Sequence, residues 1–137
     1  ACPDAETSVR AVISFYGPTD LAWDYTHPGR PDVIDTPRKL ENFLGGTPGS
    51  IPRTYAAASP VEHVGARTPP TLFLHGGHDQ LVLAENVERL IPKLEAAHVP
   101  HAYLYLPWAN HGFDYNFNGW GSQLAQDEIE KFLDAYL

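Results

Sequence analysis

Apolar residues in this chain gather in three short, nearly continuous runs, with periodic stretches between and after them. Val9 to Tyr16, VRAVISFY, is rich in β-branched and aromatic residues and stops at Gly17-Pro18. A run without polar alternation predicts a strand buried on both faces. Thr71–His75, TLFLH, predicts a second buried strand ended by Gly76-Gly77, and Tyr103–Leu106 a third. Over Ala84–His98, Val87, Leu90, Ile91, Leu94 and Ala97 recur at three- and four-residue steps, the stripe of an amphipathic helix. A last helix is expected after Ser122 as its cap, with Ile129, Phe132, Leu133 and Tyr136 facing inward. The long stretch 17–37 holds Pro18, Pro28, Pro31 and Pro37 and reads as irregular, as does Trp108–Asn118. Two short helices are predicted between: Pro37–Leu44, stopped by Gly45-Gly46, and Ser50–Ala58, with Ser50 as cap and Pro52 in its first turn. Residues 1–8 form a polar lead-in.

Strands alternating with helices predict an α/β fold: about three parallel strands with flanking helices, one domain over residues 1–137. Parallel strands need cover on both faces, and an open edge invites pairing. The first strand is the most apolar, yet nothing in the chain is available to lie beyond it. Together with the absence of any methionine, this predicts that Ala1 is a processed or truncated end and that further strands precede it.

Composition narrows the function. Hydrophobic residues make up 43% and charged residues 19%, as in a folded domain rather than a disordered one. A formal net charge of −8 argues against phosphate-driven nucleic-acid binding and against an anionic membrane surface. No apolar run reaches the roughly 18 residues of a spanning helix. The single cysteine, Cys2, rules out an intrachain disulfide and a multi-cysteine zinc motif, and leaves the compartment open.

In open parallel sheets ligands bind beyond the carboxyl ends of the strands. Three polar clusters fall there: Gly17-Pro18-Thr19-Asp20, His75-Gly76-Gly77-His78-Asp79-Gln80, and Asn110-His111-Gly112-Phe113. A carboxylate and a histidine on neighbouring strand ends can hydrogen-bond, which fixes the imidazole tautomer and lets the histidine act as a general base. Asp79 and His111 are the expected pair, each beside glycines that allow a sharp turn. His75 and His78 with them match no recognised metal spacing, and His75 reads as a packed core histidine. Cys2 sits in a polar end segment, without the turn a nucleophile needs. Core packing is expected for most of Tyr103, Tyr105, Trp108, Tyr115, Phe117 and Trp120, with Trp108, Tyr115 and Trp120 also placed to line a pocket near His111. Asp127-Glu128-Glu130 reads as a solvated helix face.

LHGGHDQLV at 74–82, followed by AHVPHAYLYLPWANHGF at 97–113, resembles the C-terminal half of an α/β-hydrolase. It is most similar to serine carboxylesterases of the feruloyl-esterase-like and hormone-sensitive-lipase-like groups, whose acid loop reads HG-x-x-D-x-x-V and whose base loop reads HGF. VRAVISFYGPTDL at 9–21 resembles their strand and loop after the nucleophile's helix, and AAASPVEHV at 56–64 the segment before the acid strand. The resemblance implies Asp79 as triad acid and His111, 32 positions later, as triad base. It also implies a small-molecule ester substrate for the parent protein and no cofactor. Prolyl-oligopeptidase-like relatives share the acid and base order, which makes a peptide the alternative substrate.

One departure is large. The family's nucleophile elbow is G-x-S-x-G, and Ser8, Ser14, Ser50, Ser59 and Ser122 all lack its glycines. The resemblance places that elbow and the oxyanion hole before the strand at 9–16, hence upstream of Ala1. The isolated chain is therefore expected to hold acid and base without a nucleophile, and to be inactive. The alternative is a non-catalytic module that dimerises through Val9–Tyr16 or complements a separate N-terminal piece.

Overall fold

The computed structural model describes residues 8–137, so Cys2 and most of the polar lead-in lie outside the described residues. The centre is strand β2, Thr71–Gly76, buried at every position. Its side chains alternate between two cores. Leu72 and Leu74 point to one side and pack with Ala125 and Phe132 of the last helix. Phe73 points to the other and packs with Val61, Val87, Leu90, Leu94 and Val99. Cover on both faces is why the TLFLH run carries no polar alternation.

β1 (Val12–Phe15) and β3 (His101–Leu106) flank β2, both parallel to it, in the order β1-β2-β3. β3 starts two residues before the expected Tyr103 because His101 pairs with Thr71 at the start of β2. β1 is shorter than the expected Val9–Tyr16. Its ladder begins where Val12 N donates to Pro70 O (2.9 Å) and closes where Tyr16 N donates to Leu74 O (2.8 Å). Val9 is exposed, and all four β1 residues are half-buried rather than buried. The physical reason is position: among the described residues β1 is an edge, paired on one side only.

The helices follow the apolar stripes, with revised ends. α4 (Glu85–Ala96) lies against the Phe73 face, and α5 (Trp120–Tyr136) against the Leu72 face. α5 starts ahead of Ser122, capped by the Gly119 backbone, and Ser122 Oγ donates back to Asp114 O and Asn116 O instead. The stretch expected to be irregular contains α1 (Leu21–Thr26), whose N-cap Asp20 accepts from Trp23 N at 3.0 Å. α2 (Thr36–Leu44) is capped by Asp35 and ended by left-handed Gly45. α3 (Pro52–Ala58) starts after Ile51, and Ser50 is not its cap, because Ser50 Oγ donates to Thr47 O in the preceding turn.

One buried polar cluster ties the excursion after β1 to α4. Asn86 is fully buried; its Oδ1 accepts from Thr19 N (2.8 Å) and Asp20 N (3.2 Å), and its Nδ2 donates to Asp24 Oδ1 (2.6 Å). Burial pushes the Asp24 carboxyl up to about 6, against the opposing hydrogen bond from Asn86. A carboxyl whose folded pKa is raised holds its proton more tightly in the native state. Its contribution is therefore fully present below the unfolded value near 3.8 and is lost as pH rises through about 6.

Two outcomes follow. Leu74→Ala should lower unfolding free energy by about 3 kcal/mol or more in urea titrations, since Leu74 is wholly buried between β2 and α5. Between pH 4 and pH 7 the wild-type chain should lose about 3 kcal/mol relative to Asp24→Asn, a shift of some two pH units at about 1.4 kcal/mol each. Parallel pH dependences for the two proteins would contradict that assignment.

Candidate active site

The site begins with two loops that leave adjacent strands at the same end. β2 exits through Gly76-Gly77, and β3 exits through Pro107-Trp108-Ala109. The loops dock backbone to backbone: Gly77 N donates to Leu106 O (2.8 Å) and His78 N to Ala109 O (2.9 Å). A Cβ on Gly76 would sit 2.3 Å from Ala109 O, so only glycine allows this approach.

Asp79 follows, with its side chain fully buried. Its Oδ1 accepts from Leu81 N (2.9 Å) and Val82 N (3.0 Å), which fixes the carboxylate against its own loop. Its Oδ2 accepts from His111 Nδ1 at 2.8 Å. Burial works to raise the Asp79 pKa, but hydrogen bonds from His75, from the Val82 and Leu81 amides and from His111 outweigh it and hold the carboxyl below the usual carboxylate range. His75 is fully buried beneath; its Nε2 donates to Val82 O at 2.9 Å and lies 3.4 Å from Asp79 Oδ2. His75 is thus a packed core residue that supports the acid loop. The structure brings Asp79 and His111 together as the sequence predicts.

His111 gives its Nδ1 proton to Asp79, so the lone pair of the neutral imidazole resides on Nε2. Its side chain is one-quarter exposed, and Gly112 turns the chain away in the left-handed region at φ 73°. Tyr16 is a neighbour that sequence reasoning missed. Its ring lies against the imidazole, centroids 4.1 Å apart, and its hydroxyl donates to Asp114 Oδ1 at 2.9 Å. Burial, then the bond to Asp114, pushes the Tyr16 hydroxyl up to about 12. Tyr16 reaches this position from a backbone φ of 38°, unusual for an aromatic residue.

Two recesses open beside His111. One, of about 260 Å³, is lined by Val33, Gln80, Leu81 and Asn110; the other, of about 250 Å³, extends toward α1 and α2. The aromatic residues of the base loop line neither. Trp108, Tyr115, Phe117 and Trp120 are exposed rather than packed, because turns closed by Tyr115 N to Gly112 O and Gly119 N to Asn116 O keep that loop at the surface. Among the described residues no group of three His, Cys, Asp or Glu side chains is arranged to hold a metal ion, and His78 is exposed. On the acidic helix face Asp127 and Glu130 are exposed, and Lys131 Nζ donates to Asp127 at 2.7 Å. An imidazole whose Nδ1 proton is held by a buried carboxylate is equipped to take a proton on Nε2 from a nucleophile and return it to a leaving group.

Comparison with known proteins places the chain in a family. The family model BD-FAE matches residues 2–94, a span that includes Asp79. Esterase LipC of Mycobacterium tuberculosis is 33% identical over 111 residues, which cover 80% of this chain and 27% of LipC. The uncharacterized peptidase YtmA of Bacillus subtilis is 32% identical over 103 residues, 75% of this chain and 38% of YtmA. The chain thus spans well under half the length of these curated relatives. A thermophilic esterase of the planctomycete Thermogutta terrifontis superposes with a TM-score of 0.70 at 22% identity, over 97% of this chain and 46% of that one, and so shares the fold. With more than half of its residues under that family model, and with relatives named as an esterase and a peptidase, the chain belongs to the BD-FAE family and has a partial α/β-hydrolase fold.

Proposed function

We propose that Asp79 and His111 are the acid and base of a serine-type hydrolase acting on carboxylic esters, with a serine supplied from outside this sequence. The observation that carries the reading is the 2.8 Å bond between His111 Nδ1 and Asp79 Oδ2, made by loops at the carboxyl ends of adjacent parallel strands. His111 Nε2 takes the serine proton as the oxygen attacks the ester carbonyl. Asp79 stabilises the resulting imidazolium, which then protonates the departing alkoxide. Water repeats the cycle on the acyl-enzyme. No residue of this chain is needed to bind a cofactor in this scheme.

The serines within the chain support an external nucleophile. None lies in G-x-S-x-G, and Ser50, Ser59 and Ser122 donate their hydroxyls to the carbonyls of Thr47, Tyr55 and Asp114. The outer edge of β1 is where a further strand would add, from an N-terminal piece bearing the serine or from a second copy of the chain. The peptidase name of YtmA favours a second reading, amide hydrolysis by the same acid and base with an amine as leaving group.

The isolated chain should hydrolyse p-nitrophenyl acetate no faster than buffer. In an active protein that contains it, His111→Ala or Asp79→Asn should lower kcat/KM by about a thousandfold to ten-thousandfold while the circular dichroism spectrum is preserved. Turnover undiminished in folded His111→Ala would exclude the role of His111 as base.

A further inference from the structure

The second recess beside His111 holds polar atoms that acid–base chemistry does not use. Ile34, Leu40 and Leu81 give it apolar walls, and Asp24, Thr36 and Lys39 line it together with His111. At about 250 Å³ it is smaller than a site that encloses a whole ligand, and suits one part of a substrate. Asp24 is 6% exposed, so its carboxylate is held in a largely dry setting. Its Oδ1 receives the Asn86 amide, whereas Oδ2 has no hydrogen-bond partner among the described residues, and neither does the buried Thr36 Oγ1. A buried carboxylate oxygen without a donor is costly, and a cationic donor satisfies both its charge and its lone pairs. Lys39, the cationic side chain lining the recess, is exposed, and no hydrogen bond or ion pair joins it to Asp24 among the described residues.

We propose that this recess is a subsite for a primary ammonium group on a short apolar stem, carried by the acyl or leaving part of the substrate, with Asp24 as its receptor. The assignment to a substrate rests on the hydrolase reading of Asp79 and His111. The apolar stem lies along Ile34, Leu40 and Leu81; Asp24 Oδ2 and Thr36 Oγ1 have almost no accessible surface, so the ammonium reaches them as the side chains lining the recess shift. The scissile carbonyl is thereby left on the His111 side of the recess.

The probe is n-butylammonium, titrated into the chain while methyl signals of Ile34, Leu40 and Leu81 are followed by NMR. Saturable shifts are expected. Asp24→Asn keeps the acceptor for Asn86 and removes the charge, and should weaken affinity by about tenfold or more. 1-Butanol should bind more weakly and be indifferent to that substitution. Absence of saturable shifts, or equal affinity in Asp24→Asn, would overturn the subsite. So would binding that appears only in Lys39→Ala, because Lys39 would then be the partner of Asp24. This binding needs no nucleophile, so its failure is separable from that of the hydrolase reading. Saturable, Asp24-dependent binding alongside undiminished turnover in His111→Ala would sustain the ammonium site and remove the hydrolase reading alone.

Discussion

Everything at the site depends on how closely the exits of β2 and β3 approach each other. The two backbone bonds from Gly77 and His78 set that distance, and Gly76 permits it by presenting no Cβ to Ala109 O. With the loops held there, a short aspartate reaches a histidine 32 residues away. Asp79 is then oriented twice: by amides of its own loop on one oxygen and by His111 on the other. These bonds, together with His75 beneath the carboxylate, offset the cost of burying it, which is why its pKa falls although burial alone would raise it. A fixed anion of this kind selects one imidazole tautomer before any substrate arrives.

The excursion between β1 and β2 is bound to the same frame. Arg30 N donates to Gln80 O at 2.8 Å, and Gly29 approaches so closely that a Cβ would lie 2.2 Å from Gln80 O. Asn86 holds Thr19, Asp20 and Asp24 against the start of α4. The acid loop is therefore a floor shared by two structures: the base loop on one side, and the walls of the recess built from α1 and α2 on the other. The Asp79–His111 pair and the recess proposed as a subsite are thus linked through residues 79–82.

Much of this was legible in the sequence because burial leaves a plain mark on short strands. TLFLH, covered on both faces, reads as a run without alternation, and Asp79 and His111 stand just after such runs beside glycines. The rest depends on contacts that local pattern does not encode. The limits of β1 are set by where Pro70 and Leu74 offer carbonyls. α1 is only six residues long amid prolines, and its signal was a single capping aspartate, Asp20. Asp24 owes its environment to Asn86, 62 positions away, and Tyr16 owes its place to a left-handed backbone and a ring contact with His111. The aromatic residues near 108–120 looked like core because composition does not distinguish a packed ring from an exposed one.

The most direct test is nitrogen-15 NMR of the His111 ring in the neutral state, in the wild-type chain and in Asp79→Asn. The proton should reside on Nδ1, with a strongly downfield resonance that is lost on substitution, while Nε2 shows the shift of an unprotonated nitrogen. A wild-type His111 protonated on Nε2 would contradict the account, because the nitrogen facing the nucleophile would then have no lone pair to accept its proton.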